Sequence, residues 1–151
     1  MSYTTNYYHV IFHTARDVPS IAEEFEKELF KYIWGFCKNK NAFLHRVNGM
    51  PNHLHNLVDL PPSLALADFV RELKTSTHHW LKCNPHFPLF TGWSSGYAGL
   101  SCGANDLQRI SNYIANQKQH HRKQPFMQEI RELLVQQNLA IQEKFFVLDW
   151  G

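Results

Sequence analysis

The chain has 151 residues, of which 44% are hydrophobic, 14% aromatic and 19% charged. This composition is typical of a compact globular protein of one domain and excludes a disordered or fibrous chain. The formal net charge is +2, but residues 17–30 contain five acids and one lysine, a balance of −4, so the remainder of the chain carries +6.

The cysteine pattern and the N-terminal sequence indicate the cellular compartment of the protein. Cys37, Cys83 and Cys102 are odd in number and widely spaced, which favours reduced thiols over a disulfide framework or a zinc site. The N-terminus has no basic segment followed by a sufficient apolar run, and no stretch approaches the roughly 18 apolar residues of a membrane helix. We therefore expect a cytoplasmic protein with no membrane partner.

The first predicted elements are a strand and a helix. Residues 7–14 are dense in aromatic and β-branched side chains, and a polar segment with a proline follows them. Ser20 and Glu23 have the spacing of a helix N-cap, and apolar residues then recur at helical intervals. The sequence therefore predicts a strand and then a helix from Ser20 to about Lys38.

The middle of the chain predicts two strands and a second long helix. Residues 42–48 alternate in polarity, residues 49–52 carry a turn signal, and residues 53–60 resume an extended pattern. Two prolines end the second of these strands. Ser63 then predicts the N-cap of a helix that ends near Asn84.

The last predicted elements are a short strand at 97–102 and helices at 107–119 and 126–138. The order is therefore β-α-β-β-α-β followed by two helices. That order predicts an α+β, ferredoxin-like fold, in which a split βαβ arrangement forms an antiparallel sheet with helices on one face. The other face would then be free for a partner or a site.

Two histidines suggest a metal site. His53 and His55 lie two residues apart on a predicted strand, so both imidazoles leave the same face. Two neutral imidazoles on one face can bind a divalent cation. Histidines spaced in this way on an exposed sheet also commonly bind nothing, so the pattern alone leaves the metal open.

A second pair of residues suggests a nucleophile. Tyr113 and Gln117 lie four residues apart on the third predicted helix and therefore share one helix face. Alone, the pair favours a structural interpretation, with an aromatic residue at the edge of a core and a solvated amide. Beside a metal site, a tyrosine hydroxyl has the chemistry to attack a phosphodiester.

Basic side chains provide candidate contacts to DNA phosphates, although such runs are also common on solvated surfaces. The candidates are Lys118, His120, His121, Arg122 and Lys123, which follow Tyr113, together with Arg46, Arg71 and Lys74. Six further histidines show no catalytic pattern: His9, His13, His45, His78, His79 and His86.

Four segments resemble the single-tyrosine HUH transposases of small bacterial insertion sequences, the IS200-like transposases. They are MPNHLHNLV at 50–58, DFVRELK at 68–74, Trp93 with the Gly-Tyr pair at 96–97, and YIANQKQHHRKQPF at 113–126. The resemblance covers most of the chain, and it combines the paired histidines, the Tyr-x-x-x-Gln spacing and the basic run in the family's order.

The resemblance implies a single transposase domain over residues 1–151, with a ferredoxin-like core and the nucleophilic tyrosine on an added C-terminal helix. His53, His55 and Gln117 would be the metal ligands. Tyr113 would join covalently to a DNA 5′ phosphate and free a 3′ hydroxyl. Imidazole and amide ligands, with waters and a phosphate oxygen, suit Mg²⁺ or Mn²⁺.

The implied partners are single-stranded DNA, with hairpins at the insertion-sequence ends, and a second copy of the chain. In such dimers the tyrosine helix of one subunit can complete the site of the other. Two other functions remain open: a domesticated protein of the same fold that binds single-stranded or hairpin DNA without cutting, and a small metal-dependent hydrolase that uses water. The spacing of Tyr113 and Gln117 disfavours the hydrolase.

Overall fold

The computed structural model describes residues 2–122, 124–143, 146 and 150. Its elements follow the predicted order. The strands are β1 (Tyr7–His13), β2 (Phe43–Met50), β3 (His53–Asp59) and β4 (Ala98–Cys102), and the helices are α1 (Glu26–Asn39), α2 (Leu66–Lys82), α3 (Leu107–Ala115), α4 (Gln117–His120) and α5 (Phe126–Gln136). None of the helices in these ranges is long and apolar enough to cross a membrane.

The four strands form one sheet in the order β2-β3-β1-β4, and every neighbouring pair is antiparallel. Helix α1 connects β1 to β2, and helix α2 connects β3 to β4. This is the ferredoxin-like split βαβ arrangement, so the predicted fold class is confirmed. Strands β1 and β3 occupy the centre, where His13 lies opposite His53 and Ile11 lies opposite His55.

One face of the sheet packs against α1 and α2. Val10 and Phe12 of β1 and Leu54 and Val58 of β3 point to this side and are fully buried. Burying each such side chain contributes roughly 1.5–3 kcal/mol. Alternation along the strands sends the intervening residues, including both histidines of β3, to the opposite side, which we call the second face.

The second face is covered rather than open, which corrects the expectation from sequence. Helices α3 and α4 pack against β2, and α3 also contacts β3. A second apolar cluster joins this face to α5 and consists of Ile11, Ala98, Leu100, Phe126, Ile130, Phe146 and Trp150. Helix α5 has its own apolar stripe and buries it here. The helix bearing Tyr113 is thus added to the ferredoxin-like core, as predicted.

Two predicted N-caps are wrong. Helix α1 begins at Glu26 after a short 3₁₀ turn, while Ser20 is buried and its hydroxyl has no hydrogen-bond partner among the described residues. The neighbouring Ile21 N–H donates to the Pro51 carbonyl at 2.9 Å, so a tertiary contact keeps this segment extended. Helix α2 begins at Leu66 without a side-chain cap, beyond Ser63.

The predicted helix over 107–119 is two helices. Helix α3 ends at Ala115, and Asn116 has φ −97° and ψ 18° before α4 begins. The side-chain amide of Asn48 on β2 donates to the carbonyls of Ile114 and Ala115 at 3.0 and 3.2 Å. It satisfies carbonyls that a helix end leaves without partners, which stabilises the break.

The close pairing of β2 with β3 can be tested at Gly49, where an added Cβ would lie 2.2 Å from the His53 carbonyl oxygen. We expect Gly49→Ala to lower the free energy of unfolding by about 1–3 kcal/mol, because the backbone must shift. Gly35→Ala in α1 is the matched control. Among the described residues, no atom outside its own stretch of helix lies within 4 Å of its added Cβ, and the substitution should stabilise the helix by up to about 1 kcal/mol. Urea unfolding followed by circular dichroism compares them, and equal stabilities would contradict the packing.

Candidate functional site

His53 and His55 lie side by side on the second face, as their spacing predicted. Both are completely buried, with ring centroids 5.2 Å apart. The ring of His53 stacks on Phe126 of α5 at 3.8 Å. Burial beneath α5 therefore fixes both imidazoles, and neither lies on an exposed sheet face.

In each of these histidines, the ring nitrogen Nδ1 contacts a neighbouring side chain. Nδ1 of His53 lies 2.8 Å from Oδ1 of Asn52, and Nδ1 of His55 lies 2.8 Å from Nε2 of His9. Nε2 of His53 also meets an amide oxygen, Oε1 of Gln117 at 3.3 Å. Amide oxygens only accept and a neutral imidazole carries one proton, so one of the two ring nitrogens presents a lone pair to oxygen. Burial lowers the pKa of His53 and of His9 well below 6.5, and the electrostatic interaction with the neighbouring His55 lowers it further, which keeps both rings neutral.

A buried carboxylate faces the two histidines from α5. Glu129 is 1% exposed, and its Oε1 lies 3.3 Å from Nε2 of His55, 3.6 Å from Nε2 of His53 and 2.9 Å from Nε2 of His121. Burial opposes ionisation of this carboxyl, but the interactions with His121, His55 and Tyr113 outweigh it and hold its pKa far below the usual range. Glu129 is therefore an anion inside the protein.

The other oxygen of Glu129 meets the predicted nucleophile. Oε2 accepts hydrogen bonds from the Tyr113 hydroxyl and from the Gln117 amide, the latter at 2.8 Å. Tyr113 and Gln117 thus come together on one acceptor even though Asn116 separates their helices. Burial raises the pKa of Tyr113 far above 10, and the charge and hydrogen bond of Glu129 raise it further.

The described side chains fit a divalent cation at this point. His53, His55 and Glu129 each offer one ligand atom, and these atoms all lie within 4.8 Å of one another. Nε2 of His55 is buried and has no hydrogen-bond partner among the described residues. Two imidazole nitrogens and a carboxylate oxygen form a donor set suited to manganese and related divalent metals.

A cavity of about 280 Å³ opens beside Tyr113 between α3 and α5. Its lining includes His9, Arg109, Tyr113, His120 and Glu129. The ring of His120 lies 4.4 Å from that of Tyr113. The cavity gives a substrate group a way to the tyrosine hydroxyl, with one arginine and two histidines on its wall.

Two of the lysines predicted to contact DNA bind oxygen atoms within the protein instead. The ammonium of Lys118 lies 2.9 Å from Oε2 of Glu26 and 2.5 Å from the carbonyl oxygen of Gly49, which ties α4 to α1 and β2. The ammonium of Lys74 donates to the carbonyls of Ser94 and Gly96 at 2.8 and 3.0 Å. Both lysines hold structural elements together.

The remaining predicted contacts have different surroundings. Arg46, Arg71 and Arg122 are exposed, and Arg71 also pairs with Asp68 at 2.8 Å. His120 and His121 belong to the site itself, next to Tyr113 and Glu129. The predicted contact Lys123 lies outside the described residues.

Glu129 and His9 also belong to the site, although the sequence patterns did not predict a role for either residue. Glu129 had a detectable signal, because it lies three residues after Phe126 and four before Leu133, on the apolar stripe of its helix. A charged residue in that position needs a buried partner. His9 had no local signal, because its role depends on the pairing of β1 with β3.

The family now follows from comparison with known proteins. A family model described as "Transposase IS200 like" matches residues 2–117. The chain belongs to the IS200-like transposase family. It is therefore a transposase, with the roles in transposition and DNA binding that the resemblance implied. The matched segment includes His53, His55, Tyr113 and Gln117 and ends before Glu129. No curated protein sequence matches the chain.

Two solved structures share the fold of this IS200-like transposase. A protein assigned as a transposase from Deinococcus radiodurans R1 is 24% identical, with a TM-score of 0.58 over 77% of this chain and 93% of that chain. A REP-associated tyrosine transposase bound to a REP hairpin is 15% identical, with a TM-score of 0.58 over 80% of this chain and 74% of that chain. Both likenesses support the ferredoxin-like architecture.

The buried neutral histidines make stability depend on pH. His9 and His53 titrate well below 6.5 when folded and near 6.5 when unfolded, so the unfolded chain binds more protons in acid. With EDTA present, we expect the free energy of unfolding to fall between pH 7.5 and 5.5, by up to about 1.4 kcal/mol per pH unit for each histidine below pH 6.5. The lowered pKa of Glu129 adds to this loss only below about pH 4.5.

The slope is measured by urea unfolding across this range. His9→Phe should reduce the slope by as much as one proton, whereas His45→Phe, at an exposed position of β2, should leave it unchanged. A free energy of unfolding that is constant from pH 7.5 to 5.5 would contradict the neutral, buried state of these rings.

Proposed function

We propose that this transposase cleaves and rejoins single-stranded DNA through Tyr113, with a divalent metal held by His53 and His55. The observation that carries the proposal is the meeting of nucleophile and histidines within one chain. The ring centroid of Tyr113 lies 6.0 Å from that of His55 and 6.2 Å from that of His9. The hydroxyl shares the Glu129 acceptor with Gln117, the third ligand that the family resemblance implies.

The proposed chemistry conserves the energy of the phosphodiester. The Tyr113 oxygen attacks the scissile phosphorus as its O–H bond breaks and releases the proton, and the bond from phosphorus to the 3′ oxygen breaks. The leaving strand takes a proton and ends in a 3′ hydroxyl, while the other strand is joined through its 5′ phosphate to the tyrosine. Attack by another 3′ hydroxyl reverses these changes and restores the phenol, so strand transfer needs no external energy source.

The protein's side chains have separate roles in this reaction. When bound, Mg²⁺ or Mn²⁺ supplies positive charge that stabilises the developing charge on the phosphoryl oxygens. Asn52 and His9 orient the two ligand imidazoles through their Nδ1 atoms. Glu129 holds the tyrosine proton in place until substrate arrives, because the hydroxyl donates to it.

The partner we propose is single-stranded DNA with a hairpin. The family membership supports DNA as the substrate, and one structural relative is bound to a hairpin. Exposed Arg46, Arg71 and Arg122 are available for phosphate contacts. A homodimer follows from the family resemblance, and the proximity of Tyr113 to its own His55 supports attack within one subunit.

A covalent adduct tests the proposal. Protein, Mn²⁺ and single-stranded oligonucleotides from the DNA flanking the gene are incubated, and the oligonucleotides carry a label at the 3′ end. The label should migrate with the protein in a denaturing gel, because the 3′ fragment keeps the phosphate joined to the tyrosine. Tyr113→Phe should abolish the adduct, since it removes the attacking oxygen. Tyr97→Phe is the matched control and should form as much adduct as wild type.

The outcomes separate the three functions. An adduct that survives Tyr113→Phe removes that residue from the role. Tight binding of hairpin DNA by the wild type with neither cleavage nor adduct indicates the non-cutting protein. Cleavage that continues in Tyr113→Phe without any adduct indicates a hydrolase that uses water.

A further inference from the structure

We propose that Glu129 is an additional ligand of the metal, which α5 contributes to the site. The inference extends the proposed function, and it depends on that function only for the assumption that His53 and His55 bind a divalent ion. The family match covers residues 2–117, so Glu129 lies in a part of the chain that the family's pattern does not describe.

The first support is geometric. Oε1 of Glu129 faces Nε2 of His55 at 3.3 Å and Nε2 of His53 at 3.6 Å, so one oxygen reaches both imidazoles. Both nitrogens are the ones left available by the contacts to His9 and Asn52. Metal-binding histidines characteristically donate through one ring nitrogen and ligate through the other.

The second support is a repulsive contact between His53 and neighbouring oxygen atoms, which a cation would make favourable. Oδ1 of Asn52 faces Nδ1 of His53 at 2.8 Å, while Oε1 of Gln117 and Oε1 of Glu129 face its Nε2 at 3.3 and 3.6 Å. The neutral ring has a single proton, and the shorter contact, at Nδ1, favours that nitrogen as its place. With the proton on Nδ1, no hydrogen lies between Nε2 and the two oxygens, and their mutual approach is repulsive. A divalent ion among them turns the same arrangement into three favourable contacts.

The third support is charge. Two imidazoles and an amide are neutral ligands, and a divalent ion held only by them would place two uncompensated charges in a fully buried site. The carboxylate cancels one of these charges. His121 donates to the same Oε1 at 2.9 Å and Gln117 donates to Oε2 at 2.8 Å, so the carboxylate is already oriented.

The arrangement also connects the metal to the nucleophile. Oε2 of Glu129 accepts the hydroxyl proton of Tyr113, while Oε1 faces the histidines. The two atoms belong to one rigid carboxylate group. Glu129 is thus a catalytic residue that contacts both the reacting oxygen and the metal, and the position of α5 sets the distance between them.

Manganese binding without DNA tests this role. Metal-free protein is titrated with Mn²⁺ by calorimetry at pH 7.5. Loss of partners outside the ligand shell typically lowers metal affinity about 10- to 100-fold, so Glu129→Gln, which keeps the shape but removes the charge of a ligand, should lower it by more than about 100-fold. Glu132→Gln is the matched control, because it makes the same change on an exposed position of the same helix and should bind as wild type does.

A second pair of variants calibrates the effect. Glu129→Leu and Gln117→Leu each replace a buried polar side chain by an apolar one, and Glu129→Leu should lose at least as much affinity. Circular dichroism in EDTA verifies that each variant folds. If Glu129→Leu does not fold, the absorption spectrum of bound Co²⁺ provides the second measurement, and it should change in Glu129→Gln but not in Glu132→Gln.

Wild-type Mn²⁺ affinity in folded Glu129→Gln would overturn the inference. The result is independent of the proposed function, because the titration uses no DNA. Mn²⁺ binding that needs Glu129, without any covalent adduct in the wild type, would retain the ligand and reject the transposase chemistry. An adduct that forms at the same Mn²⁺ concentration in wild type and Glu129→Gln would retain the transposase chemistry and reject Glu129 as a metal ligand.

Discussion

The arrangement of the site depends on one buried anion. Isolated in a protein interior, a carboxylate is strongly destabilising, and Glu129 is tolerated because each of its oxygens accepts at least one hydrogen bond. His121 and the two β3 histidines face Oε1, while Tyr113 and Gln117 donate to Oε2. Removing this group would leave several buried polar atoms without partners, each at a cost of about 1–3 kcal/mol.

The fold brings these groups together from distant parts of the chain. The antiparallel register of β1 and β3 aligns Ile11 with His55 and brings His9 to its ring. The break at Asn116 separates α3 from α4, yet Tyr113 and Gln117 reach the same oxygen. Helix α5 closes the second face by packing Phe126 and Ile130 against the sheet, and the same packing inserts Glu129. Apolar burial thus provides the free energy that holds a polar site in place.

Local patterns predicted the sheet and the residues that lie on it. The two-residue period places His53 and His55 on one face whatever the neighbouring strands do. The remaining features depend on contacts between segments that are distant in the sequence. Ser20 does not cap α1 because its neighbour pairs with the Pro51 carbonyl, and Lys118 pairs with Glu26 instead of remaining free. The spacing of residues 53–55 says nothing of α5, so the covered face and the position of Glu129 above the two histidines became visible only in three dimensions.

The location of a bound manganese ion tests the central claim most directly. Crystals grown with Mn²⁺ and measured at its absorption edge would show the ion as an anomalous peak. The account predicts one peak within about 2.0–2.5 Å of Nε2 of His53, Nε2 of His55 and Oε1 of Glu129, with the Tyr113 hydroxyl on the other carboxylate oxygen. A peak ligated by the histidines with Glu129 turned away, or a peak elsewhere, would contradict it.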